Sequence, residues 1–183
     1  MVRIDDDARG EFTALYEAQY APVLRYALRE VPGHAAGDVV AETFMTAWRR
    51  LSEVPDPPLP WLLGVARRVV ANQRRGETRL RRLQLAVGEH AVFVEGSPAE
   101  TLAERDAVRA ALGLLSVADR ELLTLIGWDG LSVREAAQVL GIRASTASVR
   151  LHRARRRLQD RLTSGAAAPT IPDHPLSTAE EAS

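Results

Sequence analysis

The chain of 183 residues has no cysteine and no lysine, so all 24 of its basic residues are arginine. Without cysteine there are no disulfides and no thiolate metal or redox centres. His34, His90, His152 and His174 show no ligand spacing, which argues against a metal site and leaves no cofactor expected. No nucleophile or phosphate loop stands out, so an enzyme is not expected. No run of about twenty apolar residues exists, so no transmembrane helix is expected. The opening MVRIDDDARGEF lacks the basic-then-apolar order of a secretory signal. Aromatic residues make up only 5% of the chain, so its cores must be built from Leu, Val and Ala, a mixture that suits helices. Strand signals are nearly absent too. These absences lead to the expectation of a soluble, cytoplasmic, all-α protein.

Formal net charge is zero, yet the charge is unevenly placed. Arginines crowd 67–82 and 143–161, while acids outnumber bases before and between these blocks. Binding responds to the local field and not to the total. Coding composition accounts for arginine over lysine but not for its clustering.

Apolar spacing of three and four predicts helices over about 11–28, 35–51 and 61–82, then 99–114, 117–127, 133–140 and 145–162. SEVPDPPLP, residues 52–60, holds four prolines and cannot be helical throughout. The weakly patterned LQLAVGEHAVFVEGSP reads as a linker, and the Pro-, Ala- and Ser-rich tail as disordered. Two small helical domains joined by a flexible linker follow, at 8–82 and 98–162, with 83–97 between them and 163–183 as the tail.

The stretch GLSVREAAQVLGIRASTASVRLHRARRRL carries the sharpest local signals. Ser132 and Glu135 form a capping-box pattern. Ala136 and Ala137 allow a close helix crossing. Gly141 suits a left-handed helix end, and Ser145 or Thr146 suits the next cap. Ala147, Leu151, Ala154, Leu158 and Leu162 then form one apolar stripe, with most arginines off it. This is a helix-turn-helix pattern, whose second helix enters the major groove by its N-terminal end. A solvated basic helix explains the arginines equally well, but not the caps, the glycine turn and the small-residue crossing together.

The first half separates kinds of DNA reader. DVVAETFMTAWRRL, a proline loop and PWLLGVARRVVANQRR stand there in order, where a generic regulator carries a sensing domain. With the helix-turn-helix behind them, these blocks resemble the extracytoplasmic-function (ECF) sigma factors of bacterial RNA polymerase, over about 12–82 and 98–162. The resemblance implies core RNA polymerase, through its β′ clamp and β subunits, and promoter DNA as partners. An anti-sigma factor is a further implied partner, and no membrane insertion is expected. A helix-turn-helix regulator that is not a polymerase subunit is the alternative.

By position, the resemblance places polymerase docking on Asp38, Val39, Glu42 and Arg49. Phe44 and Trp48 on the same helix read equally as core. Recognition of the −10 element falls on Val54 in the proline loop and on Trp61, Arg67, Arg68, Asn72, Arg74 and Arg75. Trp61 either stacks on a base or pins its helix to the core. Recognition of the −35 element falls on Arg143, Ser148, Val149, His152, Arg153 and Arg155. Arg68 stands where relatives often have Asn, and Ser148 where a basic residue is common. The promoter sequence therefore does not carry over from relatives.

Overall fold

A computed structural model describes residues 2–85, 108 and 110–165 of the chain, and every described element is helical. The expected linker beyond residue 85, most of the expected helix over 99–114, and the tail beyond residue 165 lie outside the described residues.

Helix α1 spans Val2–Glu30, beginning well before the expected start near residue 11, and α2 spans Gly33–Arg49, close to the expected 35–51. Pro22 sits inside α1, where it lacks the N–H that would bond back to residue 18. In α2, Ala36, Val39, Val40, Thr43, Phe44 and Ala47 fall on one buried stripe. The Thr43 hydroxyl is satisfied within it by donating to the Val39 carbonyl at 2.7 Å. A single 3-10 turn, Leu51–Glu53, leads into the proline-rich loop.

Helix α3, Leu59–Leu85, carries Pro60 in its first turn, where an amide donor is not needed. It runs three residues into the segment expected to be linker. Leu62, Leu63, Val65, Ala66, Val69 and Val70 face inward and close a three-helix core against Val23, Tyr26 and Ala27 of α1 and the stripe of α2.

The second half begins, among the described residues, with a helical stretch at 110–113 that buries Ala111 and Leu112. Helix α4, Val117–Gly127, is capped by Ser116, whose hydroxyl oxygen accepts from the Asp119 amide at 3.1 Å. Helix α5 is Val133–Leu140 and helix α6 is Ala144–Gly165. The capping box forms as expected. The Glu135 amide donates to Ser132 Oγ at 3.2 Å, and the Ser132 amide donates to Glu135 Oε2 at 2.7 Å. These hydrogen bonds hold the Glu135 carboxyl below the usual range. Gly141 ends α5 at φ +67°, a conformation that costs any side chain strain.

One local expectation fails. Ser145 and Thr146 lie inside the first turn of α6 and not at its cap, because the helix starts at Ala144 and the Arg143 carbonyl accepts from the Ala147 amide at 3.0 Å.

The two halves do not hold separate cores. Helix α3 packs against α5, and buried side chains from α1, α2 and α3 run on without a break into Leu122, Leu125, Leu131, Ala136 and Val139. Packing on α3 extends the core of the bundle formed by α4 to α6.

Candidate nucleic-acid interface

On α6 the inward stripe is Ala147, Leu151 and Ala154, with Leu158 and Leu162 half-buried beneath. Four-residue spacing puts Ser145, Val149, Arg153 and Arg157 in one outward row. With Thr146 and Arg150 they line a groove of about 510 Å³. Ser148, His152 and Arg155 form the adjoining row, and all three are exposed, as is Arg143 just before the helix. The Ser148 hydroxyl donates to the Ala144 carbonyl at 3.0 Å. Five of the six −35 candidates thus divide between two neighbouring rows of one basic helix, with Val149 and Arg153 on the groove side and Arg143 just before the helix.

Arg157, missed in the sequence reading, donates from Nη1 to Asp119 Oδ2 at 2.7 Å. Asp119 is buried at the floor of the same groove. Its position in the first turn after Ser116 suggests only a capping residue, so the sequence offered no sign of this cross-helix pairing.

On α3, Arg68 donates from Nε to the Gly64 carbonyl at 3.0 Å and remains exposed. Arg75 donates to the Asn72 side-chain oxygen, and both are exposed. Arg74 reaches α1, donating to the backbone carbonyl and to Oε2 of Glu30, each at 2.7 Å. Val54 is half-buried and packs on the core. Trp61 does the same, with the Arg50 guanidinium 6.0 Å from its ring. It also keeps one face on a groove of about 480 Å³, which it shares with Pro55, Pro57 and Arg68 and, from α5, Arg134 and Gln138.

On α2, Asp38, Glu42 and Arg49 are exposed, as the docking expectation requires. Val39 is not: it is 0% exposed, so it supports the helix from beneath and cannot be a surface contact. An apolar residue four positions before Thr43 and eight before Ala47 falls on the inward stripe. Phe44 is core, whereas Trp48 stays partly exposed with its ring edge-on to Phe12 at 5.0 Å.

Polar contacts also cross between the halves. Arg67 donates to Glu121 of α4 from Nε at 2.7 Å and from Nη2 at 3.3 Å. The Tyr26 hydroxyl donates to the same carboxylate at 3.3 Å. Burial, and next the nearby Glu121 charge, push the Tyr26 phenol far up. The hydrogen bond to Glu121 likewise raises Arg67. Farther along, Arg29 pairs with the buried Asp129. Its guanidinium lies 5.7 Å from the Tyr26 ring and 5.7 Å from the Trp128 ring. Burial raises the Asp129 carboxyl despite the opposing pull of Arg29.

Among the described residues no cluster of acids and histidines could hold a metal ion, and no helix is long and apolar enough to cross a membrane. What the geometry offers is two arginine-rich surfaces on separate helices, one beside the proline loop and Trp61 and one on a helix-turn-helix.

Comparison with known proteins gives the same division. The family described as sigma-70 region 2 matches residues 15–80, and sigma-70, region 4 matches residues 105–158. The chain is 33% identical over 142 residues to the ECF RNA polymerase sigma factor EcfG of Rhodopseudomonas palustris, covering 75% of this chain and 77% of that protein. It is 32% identical over 161 residues to the RNA polymerase sigma factor CnrH of Cupriavidus metallidurans, covering 77% and 81%. Among solved structures, the sigma factor RpoE in complex with the anti-sigma factor NepR from Bartonella quintana superposes with a TM-score of 0.67 at 28% identity, covering 83% of this chain and 96% of that one. The chain therefore belongs to the ECF sigma factors, the RNA polymerase subunits that direct promoter-specific transcription initiation.

Proposed function

We propose a division of that work between the two halves. The unit over 8–82 docks on core polymerase through the exposed Asp38, Glu42 and Arg49 of α2. It meets the −10 element through the proline loop with Val54 and Trp61, and through Arg67, Arg68, Asn72, Arg74 and Arg75 of α3. The unit over 98–162 reads the −35 duplex through Val149 and Arg153 in the groove and Ser148 and His152 beside it. Arg143 and Arg155 neutralise phosphates.

The observation that carries this reading is the row on α6. Polar, apolar and basic side chains alternate along one exposed face whose opposite side is anchored in the core. Such a face offers both base-edge and phosphate contacts from a rigid support.

The protein acts by binding alone, in the cytoplasm, without a cofactor or catalytic step of its own. The solved relative from Bartonella quintana is held by an anti-sigma factor. A partner of that class fits this chain as its regulator.

Co-purification with core polymerase tests the docking assignment. Asp38→Arg together with Glu42→Arg should abolish capture while leaving the helical signal of the chain intact. Full capture by that variant would remove α2 from the docking surface.

A further inference from the structure

We infer that Arg157 is a further DNA contact of α6 and that Asp119 aims it, so that the pair meets a backbone phosphate only when the helix sits in its cognate register. The inference rests on the −35 assignment of α6 and deepens it.

Arg157 closes the outward row that begins at Ser145. At about 1.5 Å per residue, Arg153 lies about 12 Å along the helix from Ser145, and Arg157 about 18 Å. The major groove is about 12 Å wide. With the N-terminal end of α6 in the groove, Ser145, Val149 and Arg153 fit within it. Arg157 falls beyond its edge, beside the flanking phosphates. Its side chain is 60% exposed, so the guanidinium is open to a duplex.

The guanidinium is held at one edge and free at the other. Nη1 donates to Asp119 Oδ2 at 2.7 Å, while Nε and Nη2 donate to no described residue. Those two nitrogens form the fork that matches two phosphate oxygens. Asp119 is a fixed anchor. Its side chain is only 7% exposed on the groove floor, and its amide donates to Ser116 Oγ at 3.1 Å. Among the described residues, Arg157 is the one arginine of α6 in an ion pair.

A fork oriented in advance loses little further rotamer freedom on meeting a phosphate, but it meets only one that arrives along its fixed direction. The buried carboxylate also offsets the charge of Arg157, so the pair adds little to the long-range attraction that draws any duplex. A freely swinging arginine does the reverse and reaches phosphates in every register. Asp119 therefore turns a general phosphate contact into one that discriminates, through register and not through base edges.

The test uses the full chain and two duplexes. One is selected from a random-sequence pool by the parent chain, alone and with core polymerase, and the other is a shuffled duplex of the same composition. Arg157→Ala should lower affinity for the selected duplex about tenfold and leave the shuffled one nearly unchanged. Asp119→Asn should instead raise affinity for the shuffled duplex about three- to tenfold and steepen its salt slope by about one, because Arg157 regains its full charge and reach. Arg157→Lys, which keeps the charge but not the fork, should lose preference for the selected duplex as the alanine variant does. In the Arg157→Ala background, Asp119→Asn should alter preference no further, since Asp119 acts through Arg157. Circular dichroism confirms that each variant keeps its helices. Equal losses on both duplexes in Arg157→Ala, or none on either, would overturn the inference, as would full preference in Arg157→Lys. So would an effect of Asp119→Asn on preference that persists when Arg157 is already replaced, because Asp119 would then act through the fold of α4. The expected pattern in a chain that selects a duplex but never binds core polymerase would support the Arg157 contact while contradicting the sigma assignment.

Discussion

Arg67 and Glu121, 54 residues apart in the chain, meet in a two-point ion pair that joins the two halves of the protein. One partner lies on the surface proposed to meet the −10 element, so removing it should have two effects. Arg67→Ala should weaken the packing of the two halves and lower promoter-specific initiation. Thermal unfolding and run-off transcription read the two effects separately. Initiation at the parent level would remove Arg67 from the −10 surface.

On the −35 side, Arg153 stands in the groove row of α6, exposed and without an ion pair among the described residues. Arg153→Ala should weaken −35 duplex binding by about 1–3 kcal/mol if it reads a base, and reduce the salt slope by about one if it meets a phosphate. Titrations at several salt concentrations distinguish the two. Binding that is unchanged in both strength and slope contradicts either role.

The capping box makes a prediction about stability alone. Ser132→Ala removes the acceptor for the Glu135 amide at the start of α5. A loss of about 1 kcal/mol follows, equivalent to a Tm lower by about 2–4 °C. Thermal unfolding checks it, and an unchanged Tm would show that α5 is fixed by packing and not by its cap.

Deep in the first half, Leu62 is fully buried between α3 and its neighbours. Leu62→Ala should cost about 2–5 kcal/mol, the range for a large aliphatic side chain removed from a packed core. Urea unfolding measures the loss. A cost below about 1 kcal/mol would be inconsistent with a close-packed site.

Asp129 gives a pH dependence with a definite sign. Burial raises its carboxyl above the ordinary value, so the folded chain holds that proton more tightly than the unfolded one. Its proton-linked contribution to stability is fully present below the ordinary carboxylate value of about 3.9. It fades as pH rises through the elevated folded value. The stability of the parent chain relative to Asp129→Asn should therefore be greatest in acid and decline toward neutrality. A difference that grows with pH would reverse the assigned cause.

The features legible in the sequence are those whose partners lie within a few residues. Ser132, Glu135 and Gly141 act on amides and dihedrals of their own turn, so the helix-turn-helix emerges from spacing alone. The buried stripe Ala147, Leu151 and Ala154 is equally local. Val39 was assigned to docking by resemblance, but helical geometry places it on the core side. Ser145 and Thr146 are good caps by type, yet the boundary moved by a residue, a shift that helix ends readily make. Tyr26 and Glu121 are 95 residues apart, and no periodicity announces a contact at that separation. The same holds for Arg29 and Asp129, so the packing of one half on the other was not legible in the sequence.

The central claim, that this chain gives polymerase its promoter choice, is tested most directly by in vitro transcription of genomic fragments with purified core polymerase. With the protein present, transcripts should begin at discrete positions, each preceded by two recurrent sequence blocks at fixed spacing. Transcripts no different from those of core polymerase alone would contradict the account.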